Sequence, residues 1–167
     1  MPSRRPLCTI TGQPFGDLLM TRPSVNKSDS LPADQAPVIA TGVTIRVRYV
    51  ECDALGVAHH SAYPIWFEIA RTELLREQGM AYRDLEAAGT CFLVTEMHLH
   101  YRRPARYDDL IRIHVRQCRL SGARIVHDYQ VYRDGRLLVE GQTTLACVDR
   151  DGKPQRLPDS IRRFEVP

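Results

Sequence analysis

One carboxylate, Asp53, follows an alternating segment at residues 43–49 and stands eight residues ahead of Ser61, where a helical pattern begins. Between them ALGVAHH supplies a bend at Gly56, then Val57 and the paired His59 and His60. The first turn of a helix leaves backbone N–H groups without intrahelical partners, with the positive end of the helix dipole behind them. Such donors stabilise an oxyanion developing on a carbonyl substrate. A carboxylate folded back beside them makes a minimal acyl-transfer site, in which Asp53 attacks the carbonyl or deprotonates a water. Aspartate also suits turns through local hydrogen bonds, so a plain turn residue is the competing reading.

Other side chains invite other chemistry. Glu73 falls among Trp66, Ile69 and Ala70 on the expected apolar helix face, where a carboxylate must be paired, protonated or at an interface. It and Glu68 are the alternative acids. His98 and His100 share one strand face, but no acid or cysteine cluster joins them in sequence, so a metal site is not expected. Cys52 would point away from Asp53 in an extended strand and is read as packing. The five cysteines are odd in number and contain no CxxC pair, which fits reduced thiols in the cytoplasm.

These residues must be positioned by a small set of elements. Val43, Ile45, Val47 and Tyr49 alternate with Thr44, Arg46 and Arg48, as in a half-buried strand. Residues 61–79 predict a helix, with Ser61 as N-cap, Pro64 in the first turn and Gly79 at the C-terminal cap. Its apolar face is expected to hold Ile65, Trp66, Ile69, Ala70 and Leu74, with Glu68, Arg71 and Thr72 elsewhere. A short helix follows at residues 82–88. Four long strand-like runs come next, the last three joined by turns at Ser121-Gly122 and Asp134-Gly135. One long helix and an antiparallel sheet of about five strands make an α+β fold, the helix buried against one sheet face.

Residues 1–40 read as a flexible extension, 41–160 as the folded domain and 161–167 as a C-terminal tail. The net charge of +3 is too mild for a dedicated nucleic-acid binder. No apolar run approaches the roughly 20 residues that span a bilayer, so no membrane partner is expected. Arginine carries almost all the positive charge, beside only Lys27 and Lys153. Its forked guanidinium suits phosphate groups.

The pattern Tyr49-x-x-x-Asp53-x-x-Gly56-Val57-x-x-His60-x-x-Tyr63, followed by WFEIARTELL and later YRRPARYDD, resembles the 4-hydroxybenzoyl-CoA thioesterase branch of the hotdog-fold acyl-CoA thioesterases. The resemblance covers residues 43–148. It implies a hotdog fold, with Asp53 as nucleophile or general base on a thioester and the His60 backbone N–H as oxyanion donor. It also implies no metal or redox cofactor, coenzyme A entering only as part of the substrate, and a homodimer or homotetramer with active sites between subunits. The substrate would be an acyl-CoA or an acyl carrier protein thioester. Tyr49, Gly56, Val57, His59, Tyr63 and Trp66 would support or line the pocket, with Phe92, Leu93 and Val94 at its acyl end. Arg119, Ser121 and Arg124 would meet the phosphates of coenzyme A. A hotdog dehydratase or hydratase, or a non-catalytic acyl-CoA-binding module, is the alternative.

Overall fold

The computed structural model describes residues 40–163, so the expected extension at residues 1–40 lies almost wholly outside the described residues. Five strands and three helices follow in chain order: β1 (Ala40–Arg46), α1 (Ala62–Glu77), α2 (Tyr82–Ala87), β2 (Cys91–Tyr101), β3 (Leu110–Ser121), β4 (Arg124–Arg133), β5 (Arg136–Val148) and α3 (Asp159–Arg162). The strands form one antiparallel sheet in the order β1-β3-β4-β5-β2. This is the α+β arrangement expected, with the helix on one sheet face. The α3 helix crosses the expected boundary at residue 160, and its Ile161 is buried with Leu120, Ile125, Cys147 and Leu157.

Alternation drives the sheet. In β3, Ile111, Ile113, Val115 and Gln117 turn inward while Arg112, His114 and Arg116 face solvent, until a bulge between Gln117 and Arg119 shifts the phase. Asp134 and Gly135 both have positive φ, so β4 and β5 are joined by the two-residue hairpin that Asp-Gly favours. Cross-strand pairs Val43 with Ile113, Ile113 with Val131 and Val131 with Val139 run through the main core under α1.

The helix presents a different face from the one expected. Trp66, Ala70 and Leu74 are buried as predicted, but Tyr63 and Phe67 complete the face, while Ile65 and Ile69 are 51% and 39% exposed. At 100° per residue the buried set centres near Tyr63, leaving Ile65 about 160° away and Glu73 about 80° away. Glu73 therefore sits on the flank rather than at the centre, paired with Arg76 one turn on. Arg71, on the opposite flank, does not simply point away as expected: its side chain is only 11% exposed, because its long stem reaches inward.

Phe67 fixes the helix on the sheet. Its ring stacks on Tyr129 at 4.1 Å between centroids and 7° between planes. Tyr129 pairs across the sheet with Gly141, where an added Cβ would meet Phe67 Cζ at 2.7 Å. Only glycine leaves room for the ring. The helix ends as predicted at Gly79, φ +78°, where Gly79 N–H donates to the Arg76 carbonyl at 2.9 Å and Met80 N–H to that of Leu75 at 3.1 Å.

Candidate active site

The segment joining β1 to α1 is a chain of short, closed turns. Tyr49–Glu51 form one 3-10 turn, held by Glu51. Its carboxylate accepts from the Arg48 backbone N–H at 2.7 Å, from Arg48 Nε and Nη2 at 3.0 and 2.7 Å, and from Trp66 Nε1 at 3.0 Å. Burial raises the carboxyl pKa, but the Arg48 and Trp66 hydrogen bonds and the Arg48 charge outweigh it, and the net shift is downward. Glu51 is thus an anchor that sequence reading missed. A carboxylate three residues after an arginine is too common a pattern to mark it.

Asp53 opens the next turn. Cys52 and Ala58 form a β-bridge around it. Inside the bridge Asp53 N–H donates to the Val57 carbonyl at 2.9 Å, Gly56 N–H to the Asp53 carbonyl at 2.9 Å, and Leu55 N–H to Asp53 Oδ1 at 2.8 Å. Gly56 has φ +70°, which a tight reversal of this kind needs. Asp53 is half-buried, and its Oδ1 shapes the turn while no described donor takes Oδ2. Arg106 Nη1 reaches the Gly56 carbonyl from outside at 3.5 Å.

The loop then docks onto the rest of the fold. Ala58 N–H donates to the Ala105 carbonyl at 2.8 Å, within the YRRPAR segment, and His59 N–H to the Glu51 carbonyl at 2.8 Å. Ser61 holds the N-cap position as expected, but its side chain makes no capping bond. Instead its Oγ bonds His59 Nδ1 at 2.8 Å, and Ala62 N–H donates to the His59 carbonyl, so the turn starts at His59. Among the described residues no acceptor takes the His60 N–H. The two imidazoles lie 4.0 Å apart, both exposed.

The predicted supporting residues separate into two groups. Tyr63 and Trp66 are buried and meet edge to face at 4.7 Å; Tyr63 also meets Tyr101 of β2. Burial pushes the Tyr63 phenol up to about 12, against the lowering effect of a hydrogen bond with the Ala105 backbone. These rings back the site from the core and do not line an open pocket. Tyr49 is 79% exposed, with its ring edge-on against Tyr107, and Val50, Leu55 and Tyr107 are exposed as well.

The other predicted groups are not gathered here in one chain. Arg46 pairs with Leu110, so the Asp53 loop adjoins the start of β3, whereas Arg119, Ser121 and Arg124 are exposed at its far end. Twelve residues of strand separate the ends by roughly 35 Å. Ser121 instead borders a surface cavity of about 230 Å³ with Arg156 and Arg162. Phe92 packs against Tyr82 in the second core cluster, and Leu93 and Val94 are exposed, also at the end of β2 distant from Tyr101. Glu68 is exposed and pairs with Arg71 at 3.0 Å. His98 and His100 are exposed on β2, and among the described residues no group of three metal-ligating side chains forms. No described helix is long and apolar enough to cross a membrane.

The family model described as the Thioesterase-like superfamily matches residues 47–164. The acyl-CoA thioester hydrolase YbgC of Escherichia coli O157:H7 is 35% identical over 119 residues, covering 70% of this chain and 89% of that protein. The crystal structure of the hypothetical protein TT1821 from Thermus thermophilus superposes with TM-score 0.69 at 38% identity, covering 72% of this chain and 94% of that one. A DHNA-CoA thioesterase from Staphylococcus aureus does so with TM-score 0.69 at 30% identity, covering 75% and 83%. With its sheet wrapped on one long helix and a match over most of its described length, the chain belongs to the Thioesterase-like superfamily and is a hotdog-fold thioester hydrolase.

Proposed function

We propose that the chain hydrolyses acyl-CoA thioesters to a free acid and coenzyme A, with Asp53 as the reacting carboxylate. The observation carrying this is the closed turn at residues 53–57, whose second arm leads within two residues of Ala58 to the open His60 N–H. That N–H receives the thioester oxygen as it becomes an oxyanion. Asp53 Oδ2 then attacks the carbonyl carbon and expels the thiolate, and water cleaves the resulting anhydride. In the direct route Asp53 instead takes a proton from the attacking water and passes it to the leaving thiolate. Neither route uses a metal or a redox cofactor. An acyl carrier protein thioester presents the same reacting carbonyl.

A second copy of the chain completes the site in this reading. Strand β2 is a sheet edge carrying exposed Leu93 and Val94, and an open edge of that kind is a template for pairing. Arg119 and Arg124 are a strand length from Asp53 in their own chain, so they serve the same coenzyme A only from a partner subunit. The free thiols of Cys52, Cys91, Cys118 and Cys147 suit a reducing compartment, and we place the reaction in the cytoplasm.

The test is thiol release from short, long, branched and aromatic acyl-CoAs by wild type and Asp53→Asn. Turnover abolished in the variant supports the reading. Turnover retained by Asp53→Asn removes Asp53 from the mechanism, and a wild type that binds coenzyme A without turnover removes acyl-CoA hydrolysis itself.

A further inference from the structure

Away from the Asp53 loop, a cavity of about 30 Å³ lies between the C-terminal half of α1 and the sheet. Arg71 and Thr72 of α1, Gln78 just past its end, Tyr82 of α2, Gln117 of β3 and His127 of β4 are among its lining residues. Three side-chain atoms in its walls are buried without a hydrogen-bond partner: Arg71 Nη1, Gln78 Nε2 and His127 Nδ1. His127 is 6% exposed. All three are nitrogens desolvated without a protein partner beside one cavity, so a single small acceptor held there would satisfy them together.

We propose that this cavity is a binding site for a small monovalent anion of chloride or formate size. Arg71 Nη1 and Gln78 Nε2 are obligate donors, and neutral His127 donates when its proton is on Nδ1. All three can therefore point hydrogens at one acceptor. The cavity has room for about two waters or one such ion, given the 10–15 Å³ that a single water needs. Charge favours the ion over water. Arg71 is the single ionised side chain in the lining, and its partner Glu68 sits outside on Nη2.

The surrounding groups agree with that charge balance. Burial first, then the Arg71 charge, pushes the His127 imidazole down to about 3, opposed by Asp128. Burial raises the phenols of Tyr82 and Tyr129 on balance, and the Arg71 charge opposes it in both. In Tyr129 hydrogen bonds with Thr143 and Arg71 oppose it as well, which leaves Arg71 Nη1 as the guanidinium nitrogen without a partner. The negative end of α1 is blunted here, because the Leu75 and Arg76 carbonyls are used by Met80 and Gly79 and Arg163 Nη2 reaches the Gln78 carbonyl at 3.5 Å. Trp66, Phe67 and Ala70 are fully buried between Arg71 and the start of α1, about 16 Å along the helix from His60. The anion site is thus separate from the thioester site.

Bromide, chloride and formate are titrated into the full chain at constant ionic strength against bulky gluconate. Thermal midpoint and the imidazole ¹⁵N shifts of His127 are read together, and crystals grown in bromide are examined for anomalous scattering. The expected result is a saturable rise of about 2–4 °C, a saturable His127 shift, and a bromide peak within hydrogen-bond reach of Arg71 Nη1 and Gln78 Nε2. Asp53→Asn should bind identically, and Arg71→Met, if folded, should not respond. Midpoints that follow ionic strength alone, or density without anomalous signal, would mean the cavity holds water, and the proposal falls.

Discussion

Trp66 Nε1 donates to Glu51 Oε1 at 3.0 Å, joining the buried face of α1 to a carboxylate only 7% exposed on the turn before Asp53. The link makes the core of the helix and the geometry of the Asp53 loop one unit, since the Glu51 carbonyl also holds the His59 N–H. Glu51→Gln keeps the size but loses the charge-assisted bonds to Arg48, and should destabilise the fold by about 1.5–3 kcal/mol. The Glu51 pKa is lowered in the folded chain, from an ordinary 4.5. Its ionised form therefore stabilises above that pH, and the contribution fades as pH falls through the folded value. Denaturant midpoints of wild type and variant should differ at pH 7 and converge as the pH is taken progressively below 4.5.

Asp53 can be tested in two separable ways. Asn retains an oxygen to accept the Leu55 N–H, so Asp53→Asn should unfold within about 0.5 kcal/mol of wild type while losing at least about 100-fold in kcat. Asp53→Ala should lose the turn bond as well, adding about 1 kcal/mol of destabilisation. Equal unfolding curves for the two variants would show that the Oδ1 bond contributes nothing.

Gly56 is held at φ +70° inside the Asp53 turn. Gly56→Ala should destabilise by about 1 kcal/mol through left-handed backbone strain. Because the strain falls inside the turn, kcat should drop with it. A purely structural glycine would change the unfolding midpoint and leave kcat alone.

Gly141 yields its space to Phe67. Gly141→Ala should cost about 1–3 kcal/mol by overpacking. Phe67→Leu in the same chain should recover part of that loss, and the non-additivity measures the contact. Full additivity in a double-mutant cycle would show that the ring had moved aside at no cost.

Local rules in the sequence determined a great deal. Alternation at Ile111, Ile113 and Val115, the Asp134-Gly135 hairpin and the Gly79 cap each depend on neighbours a few residues away, and all appear in the fold. The turn at Asp53 was also legible, because Asp53 and Gly56 lie within one short loop. What the sequence did not determine was which flank of α1 is buried. Ile65 and Phe67 are equally apolar, and the gap above Gly141, 74 residues beyond Phe67, receives the Phe67 ring. The same holds for Arg71, whose stem turns inward because His127 and Tyr129 of β4 and Tyr82 of α2 leave it room. Arg119, Ser121 and Arg124 make the converse point: their chemistry is visible in sequence, but strand direction carries them to the end of β3 opposite Asp53. Periodicity reports how residues repeat along an element, whereas contact between elements depends on register and shape, which only the assembled tertiary structure sets.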